Sequence, residues 1–248
     1  NFINLITDLR KTGFKISIYD VNGNWAEMNE PSDLVHFILG SKAETLKRIQ
    51  PKLTKSRVCD QITCEWHNWK RHPKEVIKDI QSKFKKQRLI IRSSSLEEDG
   101  WEKSQAGAFE SVLDVDSQDI KTLSESIERV FKSYGKISSS NQILVQPFIN
   151  NVNISGVIFT CDITTGAPYY IINYDDVSGK TNTITSGNTN KFRTIILFRH
   201  EINNILTIDP RLKKVIDAVQ ELEMLLGYNK LDIEFAVDKN EQCFTFQI

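Results

Sequence analysis

The chain has 248 residues, with 32 basic side chains against 32 acidic ones and 40% hydrophobic residues. That length can bury one large core or two smaller ones. The balanced charge supplies no long-range field for nucleic acid or an anionic membrane, so neither is expected as a partner. No apolar run approaches the roughly 20 residues of a membrane span. The opening NFINLITDLRKTG is not a signal sequence, and a cytoplasmic location is expected.

In chain order, FINLITDLRKTG reads as a helix, FKISIYD as a strand and VNGN as a turn, and Pro31 sits inside a helix start in WAEMNEPSDLVHFIL. KAETLKRI is a short helix ended by Pro51. CDQITCEWHNWKRH places Cys59, Cys64, His67 and His72 within fourteen residues, a donor set that could bind zinc, but its spacing fits no common zinc module. The simpler expectation is that Thr63 caps a short helix carrying Trp66 and Trp69 into a core, with Pro73 starting the next helix. That next helix is basic and amphipathic over 73 to 86 and leads into the strand RLIIR. Residues 96 to 111 have no period and read as a loop. IKTLSESIERVFKSYG then carries a helical apolar stripe with a glycine stop.

Beyond residue 141 the runs QILVQPFI, ISGVIFTCD, PYYIINYD, TNTITSG and FRTIILF are β-rich and separated by turn residues. One helix, PRLKKVIDAVQELEMLLG, interrupts them, and KLDIEFAVD and QCFTFQI close the chain as a hairpin. Helices with a few strands, followed by mostly antiparallel sheet, predict an α+β body of two lobes around a cleft. The expected units are an extension at 1–39, a first lobe at 40–140 and a second lobe at 141–248.

Several residues could carry chemistry. In LDIEFAV the alternation of a strand puts Asp232 and Glu234 on one face, where they repel unless a cation lies between them. The returning strand is expected to bring Gln247 to the same face, and such oxygen donors suit Mg2+. Two acids on a solvated sheet face are the plain alternative. Lys42 follows a glycine break at a helix start, where a lysine opposes the helix dipole but suits an anion bound there. SQAGAFES gives Ser104 and Gly107 a loop whose backbone amides could cover phosphates. Arg92 ends the strand RLIIR, where it can hold a phosphate or pair with one of the acids at 97 to 99. Together these residues form a set suited to a nucleoside triphosphate.

Three ordered motifs, IIRSSSLEEDG…SQAGAFESVLDV, ILVQPFI…ISGVIFTCDITTG and LDIEFAVD…CFTFQI, resemble the ATP-binding domain of the phosphoenolpyruvate synthase and pyruvate phosphate dikinase family. The resemblance implies a two-lobed, ATP-grasp-like nucleotide-binding domain with ATP and Mg2+ between the lobes. By it Lys42 and Arg92 hold phosphates and are the catalytic cations, and the loop around Ser104 and Gly107 covers them. Gln146 to Ile149 form the adenine hinge, with Phe148 or Ile149 as the amide donor because Pro147 has none. Asp232 and Glu234 bind the metal, and Gln247 is the glutamine of the closing strand. The family moves the β-phosphoryl group of ATP to a histidine on a separate domain, which delivers it to a small acceptor. The glycine- and threonine-rich motif of that histidine is missing here, so the chain is expected to be one part of a longer enzyme. Two further departures are the end at Ile248, where the family continues into an arginine, and Cys161, which stands where the family has one.

GFKISIYDVNGNWAEMNEPSDL resembles the end of sugar-nucleotide-type nucleotidyltransferases, with Met28 and Asn29 replacing an Ile and an Asp. Trp25 and Leu34 could equally be packing residues. INYDDVSGKTNTITSG is more similar to the L-glutamine kinase branch of capsule loci, which implies L-glutamine as acceptor. A pyruvate acceptor, a non-catalytic nucleotide-binding module and a carboxylate–amine ligase releasing ADP are the alternatives.

Overall fold

The computed structural model describes residues 2–15, 40–94, 110–135, 137–138, 141–149, 151–181 and 192–248. The expected strand, turn and helix between 16 and 39, Ser104 and Gly107 with the rest of 95–109, the acids at 97 to 99, and all of the expected strand TNTITSG after Thr181 lie outside the described residues.

Among the described residues, helices α1 (Phe2–Lys11), α2 (Lys42–Ile49), α3 (Trp66–Arg71), α4 (Pro73–Lys83), α5 (Ile120–Ser133), α6 (Ile205–Ile208) and α7 (Lys213–Leu226) accompany ten strands. A four-stranded antiparallel sheet has the order β2 (Ile62–Glu65), β5 (Gln142–Pro147), β3 (Arg88–Ser93), β4 (Ser111–Asp116). A six-stranded sheet has the order β1 (Arg57–Val58), β10 (Cys243–Gln247), β9 (Asp232–Asp238), β6 (Val152–Phe159), β7 (Tyr169–Asp175), β8 (Arg193–Phe198). All its pairings are antiparallel except β1 with β10. The α+β class with antiparallel sheet is therefore present as expected.

Both sheets draw strands from either side of residue 141. Strand β5 completes the first sheet, and β1, from the first half of the chain, joins the second. The change of texture at 141 marks where β-rich sequence begins, but a strand's composition does not name its pairing partner. A correction concerns Thr63, expected as a helix cap. It lies in β2 opposite Leu144, and Glu65 takes the cap position of α3 without a side-chain bond. Ile62, Thr63 and Cys64 suit a pleated strand, and that pairing outweighs the hydroxyl's capping preference. Trp69 is buried and Trp66 packs beside it on the small sheet's core, while Pro73 does open α4.

Each sheet buries one face under helices. Leu89, Ile91, Ile143 and Val145 pack with α4 and α5. Ile233, Phe235, Val237, Tyr170, Ile172 and Tyr174 pack with Val215, Val219 and Leu222 of α7. At Gly156 a side chain is excluded, since a Cβ there would lie 2.2 Å from the Asn173 carbonyl oxygen. Period-2 alternation then turns the opposite faces of β3, β5 and β9 toward the seam between the sheets.

Candidate functional site

Alternation puts Ile90 and Arg92 on the face of β3 opposite its core, and Leu144 and Gln146 on the matching face of β5. The register confirms two neighbouring pairs, Arg92 with Leu144 and Ile90 with Gln146. On β9 the same logic places Asp232, Glu234 and Ala236 together, away from Ile233, Phe235 and Val237. A small apolar cluster of Cys59, Val152, Ala236, Phe244 and Phe246, with Ile149 against it, lines this seam.

Arg92 reaches across from one sheet to the other. Its Nη1 donates to Glu234 Oε2 at 2.6 Å, with the two side chains 11% and 15% exposed. Its guanidinium also lies 5.9 Å from the Phe246 ring centroid, a cation–π contact. The Nε of Arg92 is buried and has no hydrogen-bond partner among the described residues. Arg92 therefore pairs with Glu234, a residue 142 positions away. The same neighbourhood acts on Cys59: burial pushes its thiol up to about 11, against the lowering influence of Arg57 and Arg92.

Gln247 does reach the acidic face, through a feature that the sequence pattern misses. The register of β10 on β9 runs Thr245 with Phe235 and then Gln247 with Glu234. One residue of β10 is thus extra, a bulge. In an unbroken ladder Gln247 would oppose Ile233 and point to the core. The bulge instead lets Phe246 and Gln247, consecutive in sequence, both serve the seam.

Lys42 opens α2, whose Ser41 cap forms a capping box with Glu44. Gln142 Nε2 donates to Ser41 Oγ at 2.9 Å, and Ala43 N–H donates to Ser94 Oγ at 3.1 Å. These bonds fasten the positive end of α2 beside the end of β3, two residues from Arg92. At the hinge, Phe148 N–H donates to the Arg88 carbonyl at 2.7 Å, so Ile149 carries the backbone donor left for a ligand among the described residues. Thr181 Oγ1 donates to the Ile149 carbonyl at 3.1 Å, and Val152 N–H to the Gly179 carbonyl at 3.2 Å. The segment 179–181 thereby lies along the hinge.

The donor types of Asp232, Glu234 and Gln247 fit a hard cation such as Mg2+: two carboxylates and one neutral oxygen on adjacent strands, although Glu234 Oε2 is held by Arg92 in this structure. Among the described residues no group of three or more His, Cys, Asp or Glu is arranged to hold a metal. In particular Cys59 and Cys64 pack in two different apolar clusters, which separates the zinc donors weighed from sequence.

Sequence reasoning missed Phe246 as part of the site, and it missed the Arg92–Glu234 pair. The aromatic beside Gln247 was the available signal, but it acquires meaning only with the bulge.

A family model described as the pyruvate phosphate dikinase AMP/ATP-binding domain matches residues 44–187. That span includes Arg92 and the hinge and stops short of β9 and β10. A search of curated proteins finds no match. Similar solved structures include the D-alanine-D-alanine ligase from Coxiella burnetii, at 12% identity and a TM-score of 0.47, covering 87% of this chain and 48% of that one. The D-alanine-D-alanine ligase from Helicobacter pylori gives 11%, 0.46, 84% and 50%. N5-carboxyaminoimidazole synthase from Aspergillus clavatus, in complex with ADP and 5-aminoimidazole ribonucleotide, gives 10%, 0.47, 88% and 46%. The chain spans about half the length of these proteins.

Proposed function

Given that the chain belongs to the family of the pyruvate phosphate dikinase AMP/ATP-binding domain, we propose that it is the ATP-handling part of a phosphotransferase, with ATP and Mg2+ held at the seam between its sheets. One observation carries this reading. Four buried side-chain polar atoms among the described residues lack a partner, and three of them belong to Arg92 and Gln146. Buried polar groups are normally bonded, and each orphan costs about 1–3 kcal/mol. Concentrating them at one seam marks it as a place where a polar ligand completes the bonding.

In this reading Lys42, at the start of α2, and Arg92 hold phosphate oxygens, with the backbone around Ser104 and Gly107 as their cover. Ile149 N–H is the hinge donor to the base. Asp232, Glu234 and Gln247 would hold Mg2+, which when bound offsets the charge on phosphate oxygens. Arg92 leaves Glu234 as the phosphates arrive, exchanging one anionic partner for another, so nucleotide binding and parting of the sheets are one event. The β-phosphoryl group passes to a histidine on a phosphohistidine domain and from there to a small acceptor, which we take to be the amide of L-glutamine. The net change is ATP, water and L-glutamine to AMP, phosphate and the phosphoramidate. The location is cytoplasmic, and neither nucleic acid nor membrane is a partner.

Calorimetric titration with a non-hydrolysable ATP analogue plus Mg2+, run beside Asp232→Asn, tests the first half. Binding by the wild type that weakens in the variant is expected. Absence of binding by the wild type would end the reading. Release of AMP from ATP by the full-length protein only when L-glutamine is supplied tests the second half, and AMP release indifferent to L-glutamine would remove that acceptor.

A further inference from the structure

Resting on the ATP reading above, we infer that Lys180 holds the α-phosphate of the nucleotide, a contact separate from those of Lys42 and Arg92. Residues 175–181 leave β7 as a strap that is tied down along its length. The Asp175 carboxylate, 4% exposed, accepts from the Val177 and Ser178 N–H groups at 2.8 and 2.9 Å and from the Ser178 hydroxyl. Arg211 and Arg193 converge on Asp176 Oδ2 at 2.8 and 3.3 Å. Lys180 N–H donates to Ser178 Oγ at 3.1 Å, and the Lys180 carbonyl accepts from Ser155 Oγ at 2.6 Å. Gly179 and Thr181 are fastened in turn to the start of β6 and to the hinge. Loops that merely connect strands are the mobile parts of a surface, whereas tethering of this density preorganises a segment for contact with a ligand.

The register tells where the strap carries its lysine. Ser155 pairs with Ala236 on β9, and cross-strand partners share a face, so the hydroxyl that bonds the Lys180 carbonyl stands on the seam face. On that face Ala236 is the next residue after Glu234, about 7 Å along the strand. Thr181, adjacent to Lys180, is bonded to the Ile149 carbonyl of the hinge. Lys180 thus lies between the group assigned to the base and the acids assigned to the metal. The part of ATP that spans those two places is the ribose with its α-phosphate. An ammonium has three donors and no acceptor, so it gains most from anionic phosphate oxygens, where its hydrogen bonds are charge-assisted. A ribose hydroxyl is a neutral acceptor and carries a donor that an ammonium cannot meet. Lys180 is exposed, and its flexible stem can turn onto the nucleotide while its backbone stays tied.

The test sets adenosine, AMP and ATP, each with Mg2+, on the wild type, Lys180→Ala and Lys180→Arg, reading affinities by displacement of a fluorescent ATP analogue. AMP carries the α-phosphate without the other two, so it isolates this contact from Lys42 and Arg92. The wild type is expected to bind AMP about tenfold tighter than adenosine. Lys180→Ala should lose that margin and weaken ATP by a similar factor, with adenosine unchanged, and Lys180→Arg should restore both. Ligand-free melting should be the same for all three proteins, because the bonds named above use only the backbone of Lys180. A wild type that binds AMP no tighter than adenosine overturns the inference. So does an alanine variant in which AMP and ATP are untouched, or in which adenosine weakens as much as AMP. A wild type that does not bind the analogue removes the ATP reading itself, so the two failures are distinguishable.

Discussion

Removing one member of the Arg92–Glu234 pair should cost far more than removing both. The pair spans the two sheets at 2.6 Å with side chains only 11% and 15% exposed. Solvent can therefore do little for a charge left behind. Arg92→Met strands the Glu234 carboxylate, and Glu234→Met strands a guanidinium whose Nε already lacks a partner. Breaking a buried pair in this way costs about 3 kcal/mol, whereas an apolar replacement of both ions is near neutral. In a chain of this size each kcal/mol moves the melting midpoint by about 2–4 °C, so each single variant should melt roughly 6–12 °C lower and the double variant close to the wild type. Thermal unfolding without nucleotide, on the wild type, both singles and the double, reads this directly. Single losses under about 1 kcal/mol, the value of a solvated surface pair, or a double variant whose loss is the sum of the singles, would refute the reasoning.

Two further outcomes follow from packing and burial. Gly156→Ala must displace β7, since its Cβ would meet the Asn173 carbonyl oxygen at 2.2 Å. Overpacking of that kind costs about 1–3 kcal/mol and should appear as a lower urea midpoint, with an unchanged midpoint contradicting the close approach. Burial raises the thiols of Cys59 and Cys64 to about 11 and of Cys243 to about 12, against about 8.5 in an unfolded chain. These thiols stay protonated in the fold, so their contribution is complete below about pH 8.5 and fades as pH rises toward 11–12. Melting midpoints should fall over that range. Alkylation at mildly alkaline pH, followed by mass spectrometry, should mark the half-buried Cys161 before the other three, and equal labelling of all four would contradict the burial.

Local signals in the sequence carried well where periodicity and caps agree. The helix at Lys42–Ile49 has its serine cap and acidic partner in sequence, and the runs at 88–93, 142–147 and 232–238 are strands. Thr63 was misjudged because its role depends on which distant strand pairs with β2, and hydrophobic pattern is silent on partners. The acidic face of β9 was legible from alternation, since Ile233 and Phe235 had to be buried. The partner of Arg92 was not, because nearby acids at 97 to 99 competed in sequence with one 142 positions away. Gln146 was visible as a hinge residue, but the unmet bonds of its side chain exist only in three dimensions.

The bulge in β10 makes the site depend on register as well as on chemistry. Straightening the strand without changing its sequence would pair Gln247 with Ile233 and rotate its amide to the hydrophobic side. Every donor would still be encoded, yet the oxygen set on the acidic face would lose one member. A substitution scan, which preserves spacing, would leave that dependence unseen. For anyone recombining or redesigning this region, the quantity to conserve is the pairing of Gln247 with Glu234, a register that matching letters alone do not secure.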